Sequence, residues 1–506
     1  MTRLAWFLSF CAGFISLSEE ILWVRIVGFI FESTPRAFAM VLAGFLGGIA
    51  LGALIGKRLS ERGRATPATA AWLLLLAGLL LLALPSLIVG ADGRPWTNFL
   101  LLVLILLGAA VKGTLFPIVH HLGSLPGERL GRSVSRTYFC NILGATLGPL
   151  LTGLFLLEHF SSGSSLHVLA LLCFLCALPP LFVSVKGEAR AAGRYGFTVA
   201  LAGLLVLPLL WPVGAGLMQQ LARVGTGQLH LLIENRHGVV HSVSQPGDDD
   251  SVLGGNVYDG KTNIDLLRNS NMIDRAYLLY GLHPAPKRVL VIGLSSGAWT
   301  RIIGMMPGVE RIDVVEINPA YVEMIRAYPQ LSPLLDDPRL HLHIDDGRRW
   351  LRRSHAQFDL IVMNTTFHWR ANITNLLSVE MQRLMHDALA PGGILAFNTT
   401  DSYDAFLTAA SVFPHAYMFR NFVYAGKHDF REELPQLPQR LKKFNDRGVP
   451  LFADTRENNQ ALAKLAGIKF IQLQQIARIY PRPLQVVTDQ NMITEFRFGR
   501  GAEEGE

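Results

Sequence analysis

The sequence has few cysteines and few charged residues for its length. Four of its 506 residues are cysteines, and all lie in apolar runs: Cys11, Cys140, Cys173 and Cys176. No second cysteine pair or histidine pair accompanies Cys173 and Cys176, so the sequence predicts neither a metal site nor a secreted disulfide framework. Charged residues make up 17% of the chain and apolar residues 50%. This composition excludes a disordered chain and a coiled coil, and it is unusual for a purely soluble enzyme.

Long apolar runs fill the first part of the chain. A helix needs about 20 apolar residues to cross a bilayer. Seven runs reach roughly this length, at about 4–31, 37–56, 68–89, 96–120, 135–157, 166–185 and 195–212. The first is not a cleavable signal peptide, because it is too long and contains Glu19, Glu20 and Arg25. The sequence therefore predicts a multi-pass protein of the cell membrane, with the lipid bilayer as a partner.

The basic residues of the short loops predict the orientation of these spans. The loops after the second, fourth and sixth spans carry ten lysines and arginines, among them Arg129, whereas the other loops carry only Arg36 and Arg94. Lysine and arginine are enriched in cytoplasmic loops. The N-terminus is therefore expected in the cytoplasm, and an odd number of spans would place the C-terminal part on the opposite side.

Four glycines recur at every fourth position of the second span: Gly44, Gly48, Gly52 and Gly56. Such a stripe lets another helix approach closely. Packing within the chain is favoured, and the seam of a homodimer is the alternative.

Ionisable residues lie inside two of the spans. Glu19, Glu20 and Arg25 lie in the first, and Lys112 lies late in the fourth. Charges at membrane depth are costly, so by default they indicate a polar path or a site. An internal Glu–Arg pair, or a span that begins later and leaves these groups near the interface, is slightly favoured, and Lys112 could extend its side chain to the membrane surface.

The second half of the chain alternates apolar strand-like runs with helical patterns, which is typical of a parallel α/β sheet. Five strands are predicted, at residues 288–293, 311–316, 340–345, 358–364 and 392–398. Nucleotides bind at the carboxyl ends of the strands in such sheets.

Glycines and carboxylates follow these strand ends. Gly293 and Gly297 bracket a tight turn where the backbone can approach a ligand, and Glu316 can accept hydrogen bonds from ribose hydroxyls. The third strand ends in Asp345, Asp346 and Gly347, where a carboxylate can meet an adenine amino group. A nucleoside-binding sheet is favoured, and the alternative is that these residues are helix caps and turn residues.

The segments HPAPKRVLVIG, DVVEINP, DDPRLHLHIDDGR, FDLIVMN and LAPGGILAF resemble the spermidine synthase (polyamine aminopropyltransferase) family. The N-terminal half resembles the multi-span region fused to membrane-bound members. The resemblance implies a polytopic α-helical membrane domain followed by an α/β Rossmann-like domain with a small β-rich N-terminal lobe. The predicted limits are 1–213 for the membrane domain, 214–233 for a linker, 234–285 for the lobe, 286–410 for the Rossmann-like domain and 411–506 for its C-terminal extension.

The resemblance also implies an activity, the transfer of an aminopropyl group from decarboxylated S-adenosylmethionine to a diamine such as putrescine. No tightly bound cofactor is expected; decarboxylated S-adenosylmethionine or S-adenosylmethionine would be a co-substrate. By position, Glu316 would hold the ribose and Asp346 with Gly347 the adenine. Asn364 completes the predicted cofactor-binding set, and Asp259–Gly260 resembles the LDG turn of the family.

Three motifs of the family are altered in this sequence. The GGGDG motif corresponds to residues 293–297, where Ser296 takes the acidic position. The DxxD motif corresponds to Asn364 through Phe367, which contains no aspartate. The YHE motif corresponds to residues 277–279, which read YLL. An amide cannot accept a proton near neutral pH, so no catalytic residue is assigned. His368, Asp401 and Asp404 are candidate replacements for the base; alternatively, His368 is a surface loop residue and Asp401 a turn residue.

Because these three motifs differ from those of the family, two other functions are alternatives. One is another S-adenosylmethionine-type transferase, such as a methyltransferase, and the other is a catalytically silent binding or scaffold protein. Nucleic acid is not an expected partner, because the basic clusters RRWLRR and PQRLKK carry a single tryptophan and read as solvated helix faces.

Overall fold

The computed structural model describes residues 2–124, 130–186, 190–364 and 367–496. Arg129 of the loop after the fourth span, and Thr365 and Thr366 of the altered DxxD motif, lie outside this range. The chain divides into two compact units. The first unit contains Met1–Arg223 and Glu234–Gly238, and the second contains Val224–Ile233 and Val239–Glu506.

The first unit is helical. Its helices are α1 (Thr2–Ile30), α2 (Pro35–Glu61), α3 (Pro67–Ala91), α4 (Thr97–Gly123), α5 (Leu130–Leu151) with a π-helical turn at Thr152–Leu156, α6 (Leu157–His159), α7 (Ser162–Lys186), α8 (Arg190–Ala215) and α9 (Leu217–Leu221). Proline at the first position starts α2 and α3, where a missing N–H costs no hydrogen bond. Within the described residues, seven helices are long and apolar enough to cross a membrane, in agreement with the seven predicted runs.

The glycine stripe of α2 packs against α4. A Cβ added at Gly48 would lie 2.4 Å from the carbonyl oxygen of Leu106, and one at Gly52 would lie 2.2 Å from that of Ala110. Gly47, which is off the stripe, has no atom within 4 Å of such a Cβ. The two backbones therefore touch only because these positions lack side chains, and the prediction of packing within the chain is confirmed.

The charged residues of α1 and α4 form one buried cluster. Lys112 forms an ion pair with Glu19, and the indole Nε1 of Trp23 donates a 3.1 Å hydrogen bond to Glu19. Lys112 is 5% exposed, so the prediction that its side chain extends to a surface is wrong. The internal partner of Glu19 is this lysine and not Arg25, which donates to Ser162 Oγ at 2.9 Å.

A four-stranded sheet follows the helices along the chain, in the order β1-β2-β3-β4. Its strands are β1 (Gln228–Asn235), β2 (Gly238–Ser244), β3 (Ser251–Gly254) and β4 (Val257–Lys261). β2, β3 and β4 pair antiparallel. Helix α9 and the start of β1 fall in the stretch 214–233 that the sequence predicts as a linker.

A seven-stranded sheet follows, in the order β10-β11-β9-β8-β5-β6-β7. Its strands are β5 (Arg288–Ile292), β6 (Arg311–Glu316), β7 (Leu340–Ile344), β8 (Phe358–Met363), β9 (Leu389–Asn398), β10 (His415–Phe419) and β11 (Phe422–Gly426). Strands β5 to β9 are parallel, and the β10–β11 hairpin adds antiparallel. The predicted Rossmann-type domain is confirmed, with a mixed sheet.

Helices cover both faces of this sheet. They are α10 (Asp274–Leu282), α11 (Ala298–Gly304), α12 (Ala320–Arg326), α13 (Gly347–Arg353), α14 (Thr374–Leu377), α15 (Val379–Ala388), α16 (Tyr403–Ala410), α17 (Leu437–Leu441), α18 (Arg456–Ala466), α19 (Leu473–Ile479) and α20 (Ile493–Phe496). Short 3₁₀ turns at Ser332–Asp336 and Arg431–Gln436 and a small hairpin of β12 (Asn445–Asp446) and β13 (Val449–Pro450) complete the unit. In β5, Val289 and Val291 face one apolar cluster, whereas Leu290 and Ile292 face the other. Burial on both faces explains the continuous apolar run of this strand.

Candidate functional site

The turn after β5 is built on two glycines. Gly293 has a φ of 86° and Gly297 a φ of 82°. Residues other than glycine rarely adopt such backbone conformations. A Cβ at Gly293 would lie 3.0 Å from the carbonyl oxygen of Asn364, and one at Gly297 would lie 2.6 Å from Cδ1 of Ile325. The turn therefore brings β5 and the end of β8 together at the carboxyl edge of the sheet.

Glu316 is buried at the end of β6, beside this turn, with 4% of its surface exposed. Its carboxylate accepts hydrogen bonds from the N–H of Leu294 at 2.7 Å and of Asn318 at 2.8 Å. Burial raises the pKa of Glu316 to about 7, although both N–H donors act to lower it. The N–H of Ile317 acts on it in the same way, and since a carboxylate has about four lone-pair positions, room remains for a ligand hydroxyl. A carboxyl that titrates near neutral pH in such a position is typical of a functional site.

Asp259 of β4 lies next to the same turn. Ser295 Oγ donates to the backbone carbonyl of Asp259, and the hydroxyl of Tyr321 donates a 2.5 Å hydrogen bond to Asp259 Oδ2. Burial raises the pKa of Asp259, while the Tyr321 bond and the charge of Arg370 lower it. The resemblance to the LDG turn therefore correctly marks Asp259 as a residue of the site. It gives no indication that Tyr321 and Arg370 interact with Asp259.

The acidic residues after β7 are engaged in local structure. Asp345 accepts a 2.6 Å bond from Arg349 Nε, and this bond holds the pKa of Asp345 below its usual range. Asp346 caps α13 by accepting the N–H of Arg349 at 2.7 Å. A Cβ at Gly347 would lie 2.5 Å from Cγ2 of Ile292, so glycine is required for packing. The helix-cap alternative therefore describes Asp346, and its adenine role stays a prediction.

Asn364 begins a network of three asparagines (Asn364, Asn398 and Asn421; the asparagine network). Asn364 Oδ1 accepts from Asn398 Nδ2 at 3.3 Å, and Asn398 Oδ1 accepts from Asn421 Nδ2 at 3.1 Å. Arg275 Nη1 donates to Asn421 Oδ1 at 2.5 Å, and the N–H of Thr400 donates to Asn398 Oδ1 at 2.8 Å. Sequence patterns gave no sign of Asn398, Asn421 or Arg275, because the elements that carry them meet only in the folded sheet.

His368 is buried and is held by Thr400. The ring Nδ1 lies 2.8 Å from the Thr400 carbonyl oxygen, and the backbone N–H of His368 donates to Thr400 Oγ1 at 2.7 Å. Because a carbonyl only accepts, Nδ1 carries the proton and Nε2 of the neutral ring has a free lone pair. Thr400 and Asp401 have φ values of 50° and 73°, a strained conformation for a β-branched residue. The alternative that His368 is a surface loop residue is wrong.

The other candidate bases differ in their surroundings. Asp404 is 1% exposed and accepts from Arg482 at 2.5 Å and from the N–H of Gln485 at 2.7 Å, so it anchors the C-terminal segment. Asp401 is exposed. Phe367 stacks on Trp369 with ring centroids 5.4 Å apart. Among the residues described, no group of three metal-ligating side chains comes together.

The second unit matches proteins of one family. Residues 275–413 match the family model described as Spermine/spermidine synthase domain. A polyamine aminopropyltransferase of Agathobacter rectalis is 34% identical over 117 residues, 23% of this chain and 41% of the relative. Polyamine aminopropyltransferase 1 of Streptomyces coelicolor is 27% identical over 253 residues, 44% of this chain and 47% of the relative. The chain spans less than half the length of these curated relatives, and the matches support the spermidine synthase family.

Two solved structures are also similar. A spermidine synthase in complex with the transition state analogue AdoDATO is 20% identical, with a TM-score of 0.41 over 49% of this chain and 87% of that one. Spermidine synthase from Thermotoga maritima is 19% identical, with a TM-score of 0.40 over 49% and 86%.

Proposed function

We propose that the second unit is a spermidine synthase-like transferase that moves an aminopropyl group from decarboxylated S-adenosylmethionine to an amine. The observation that carries this proposal is the buried Glu316 carboxylate at the end of β6, beside the glycine turn of Gly293. Both residues fall inside the segment 275–413 that matches the family. Ligands of open α/β sheets bind at this edge.

The donor would lie across the ends of β5, β6 and β7. Glu316 would accept a hydrogen bond from the ribose with its remaining lone pair. Gly293 and Gly297 keep the turn free of side chains, and Asp346 with Gly347 would border the adenine. Asp259 and Tyr321 would border the donor on the side of the small sheet.

The reaction needs a neutral amine. Its lone pair forms the new N–C bond to the propyl carbon, the C–S bond breaks, and its electron pair stays on sulfur, which leaves as methylthioadenosine. The new ammonium then loses a proton. Asn364 cannot accept this proton, and we assign the role to Nε2 of His368, whose lone pair follows from the bond of Nδ1 to Thr400.

A titration of the full chain in detergent with methylthioadenosine tests the proposal. Glu316→Gln should weaken binding on the order of 10- to 100-fold, because it removes a charge-assisted hydrogen bond. Glu310→Gln is the matched control, since Glu310 is exposed and pairs with Lys287 at 2.9 Å. Absence of binding to the unmodified chain, or equal affinities for both variants, would reject a donor site at Glu316.

Turnover with putrescine is expected to be very slow or absent. Ser296 and Phe367 stand where the family has acidic residues, so the carboxylates that pair with diamine charges are missing, and Asn364 replaces the family's base. Even with His368 as the base, putrescine should bind weakly, with a raised KM. Robust formation of spermidine at neutral pH would contradict this expectation.

We also place the first unit in the cell membrane as a multi-pass domain. The length and composition of seven helices support this, as does the excess of basic residues in alternate loops. A reporter fused after Lys57–Arg64 should be cytoplasmic, and one fused after Pro212 should lie on the other side. Two cytoplasmic reporters would mean that the number of spans is even.

A further inference from the structure

We propose that the amine acceptor of this site carries an oxygen acceptor, a carboxylate or a carbonyl, at the end that Asn364 binds, and not a second ammonium. The inference rests on the proposed aminopropyl transfer and concerns only the acceptor. It follows from the direction of the hydrogen bonds in the asparagine network, which fixes what Asn364 can offer to a ligand.

Two groups that can only donate fix this direction. The guanidinium of Arg275 has no acceptor atom, so the atom of Asn421 that it meets at 2.5 Å is the oxygen. The N–H of Thr400 likewise requires an oxygen at the atom of Asn398 that it meets at 2.8 Å. The amide group of Asn421 then donates to the same oxygen of Asn398. Each asparagine has one possible orientation.

The remaining bond orients Asn364. With its oxygen used twice, Asn398 has only its amide nitrogen for Asn364, and this nitrogen donates to Asn364 Oδ1. Asn364 therefore has its Nδ2 group left, which makes no hydrogen bond to the described residues. The side chain is half-buried, at a strand end beside the turn of Gly293. The position presents N–H donors.

A positive charge reinforces the polarity of the network. Arg275 is 6% exposed and lies beside two rings that stack on each other, 5.6 Å from the centroid of Trp299 and 4.9 Å from that of Phe422. Hydrogen bonds in a chain polarise one another in the same direction. The guanidinium at one end therefore strengthens the donor character of Asn364 at the other.

These properties decide the chemistry of the ligand. An ammonium group has only donors; at Asn364 it meets the Nδ2 donor, and the only acceptor there is the second lone pair of Oδ1, the atom that already accepts from Asn398. Ser296 and Phe367 add no negative charge. Of the carboxylates described at the site, Glu316 and Asp259 already accept hydrogen bonds from Leu294 and Tyr321, and Asp401 is exposed to water. A carboxylate or carbonyl oxygen accepts from Nδ2 directly. The reacting end of the acceptor is still a neutral amine, and the oxygen end takes no part in bond making.

Calorimetric titration of the full chain in detergent, saturated with methylthioadenosine, tests the proposal with two ligands of equal carbon chain length, γ-aminobutyrate and putrescine. The unmodified protein should bind γ-aminobutyrate at least about tenfold more tightly, the difference that one charge-assisted hydrogen bond makes. Asn364→Asp should reverse the preference by a similar factor. Asn364→Ala should weaken γ-aminobutyrate binding and bring no gain for putrescine.

Equal or tighter binding of putrescine by the unmodified protein would overturn the proposal, as would an unchanged ratio in Asn364→Asp. Binding of neither amine would also count against it. The preceding titration with methylthioadenosine alone separates this failure from that of the proposed function, because it reports on the donor site and does not involve Asn364→Asp. Each variant must keep the thermal unfolding temperature of the unmodified protein, which shows that the sheet edge is folded.

Discussion

The hydroxyl of Tyr321 donates a 2.5 Å hydrogen bond to Oδ2 of Asp259, and so joins helix α12 to strand β4 of the small sheet. Tyr321→Phe should lower the free energy of unfolding by about 1.5–3 kcal/mol, because a partly buried carboxylate loses a donor. The measurement is thermal or chemical unfolding of the full chain.

The matched control is Tyr328→Phe. The hydroxyl of Tyr328 donates to Asp250 at 2.7 Å, but Asp250 also accepts from His230 at 2.8 Å and from Ser244 at 2.9 Å. Tyr328→Phe should therefore lower the free energy of unfolding by less than Tyr321→Phe does. Equal losses in the two variants would show that the Asp259 contact has no special weight.

Binding of the nucleoside should depend on pH through Glu316. Because burial raises its pKa to about 7, a growing share of the carboxyl is protonated below that pH and accepts ribose hydroxyls poorly. Methylthioadenosine affinity should rise about fivefold between about pH 6 and pH 7, about twofold more up to about pH 8, and then level off. A titration series over pH measures this, and Glu316→Gln should flatten it.

Stability should respond in the opposite sense. A carboxyl whose pKa is raised by folding contributes stability that is fully present below its unfolded pKa and is lost as the pH rises through about 7. The unmodified protein without ligand should therefore lose melting temperature between about pH 5 and pH 7 relative to Glu316→Gln. Parallel melting curves of the two proteins would contradict the raised pKa.

His368→Asn should slow the chemical step by about 10²-fold or more, because it removes the proton acceptor. The asparagine amide can still donate toward the Thr400 carbonyl, so the loop should keep its conformation. Single-turnover measurements with decarboxylated S-adenosylmethionine and an accepted amine are suitable. Asp401→Asn should leave the rate unchanged; the reverse pattern would assign the base to Asp401.

Gly48→Ala should destabilise the first unit by about 1–3 kcal/mol, because the new Cβ would overpack the contact with α4. Gly47→Ala is the control one residue away, where a Cβ meets nothing within 4 Å. Thermal unfolding in detergent compares the two. If Gly48→Ala instead changed only the oligomeric state, the stripe would also serve a homodimer.

Glu19→Gln should cost about 3–5 kcal/mol, because it leaves the Lys112 charge buried without its partner. Adding Lys112→Met to this variant should restore most of the loss, since both charges are then gone. Unfolding of the single and double variants in detergent measures the coupling. A double variant as unstable as Glu19→Gln would mean that the ion pair is not the source of the loss.

The sequence predicts elements with strong periodicity well. The seven apolar runs and the five parallel strands are found within a few residues of the predicted limits, because long runs and buried strands carry their own signal. The β10–β11 hairpin is not predicted. Its strands are short, and its place in the sheet depends on pairing with β9, which no local pattern encodes.

The candidate site is predicted only where a motif marks it. Gly293, Gly297 and Glu316 follow strand ends and are found together at the edge of the sheet. Glu19 and Lys112 are 93 residues apart in the sequence, and they pair only because α1 packs against α4. The sequence alone therefore suggests Arg25 equally well as the partner of Glu19. The hydrogen bond from Tyr321 to Asp259 joins residues 62 positions apart, so local sequence patterns do not predict it either.

The anchoring of Asp404 has a consequence for synthesis on the ribosome. This buried carboxylate depends on Arg482, which follows it by 78 residues, and Val487 closes the same edge by donating its N–H to Thr408 Oγ1 at 2.9 Å. At typical translation speeds, roughly 4 to 16 s separate the two partners. During that interval Asp404 and Thr408 of α16 lack these partners, and this side of the new sheet is uncovered. A chaperone that shields apolar surface is expected to bind there.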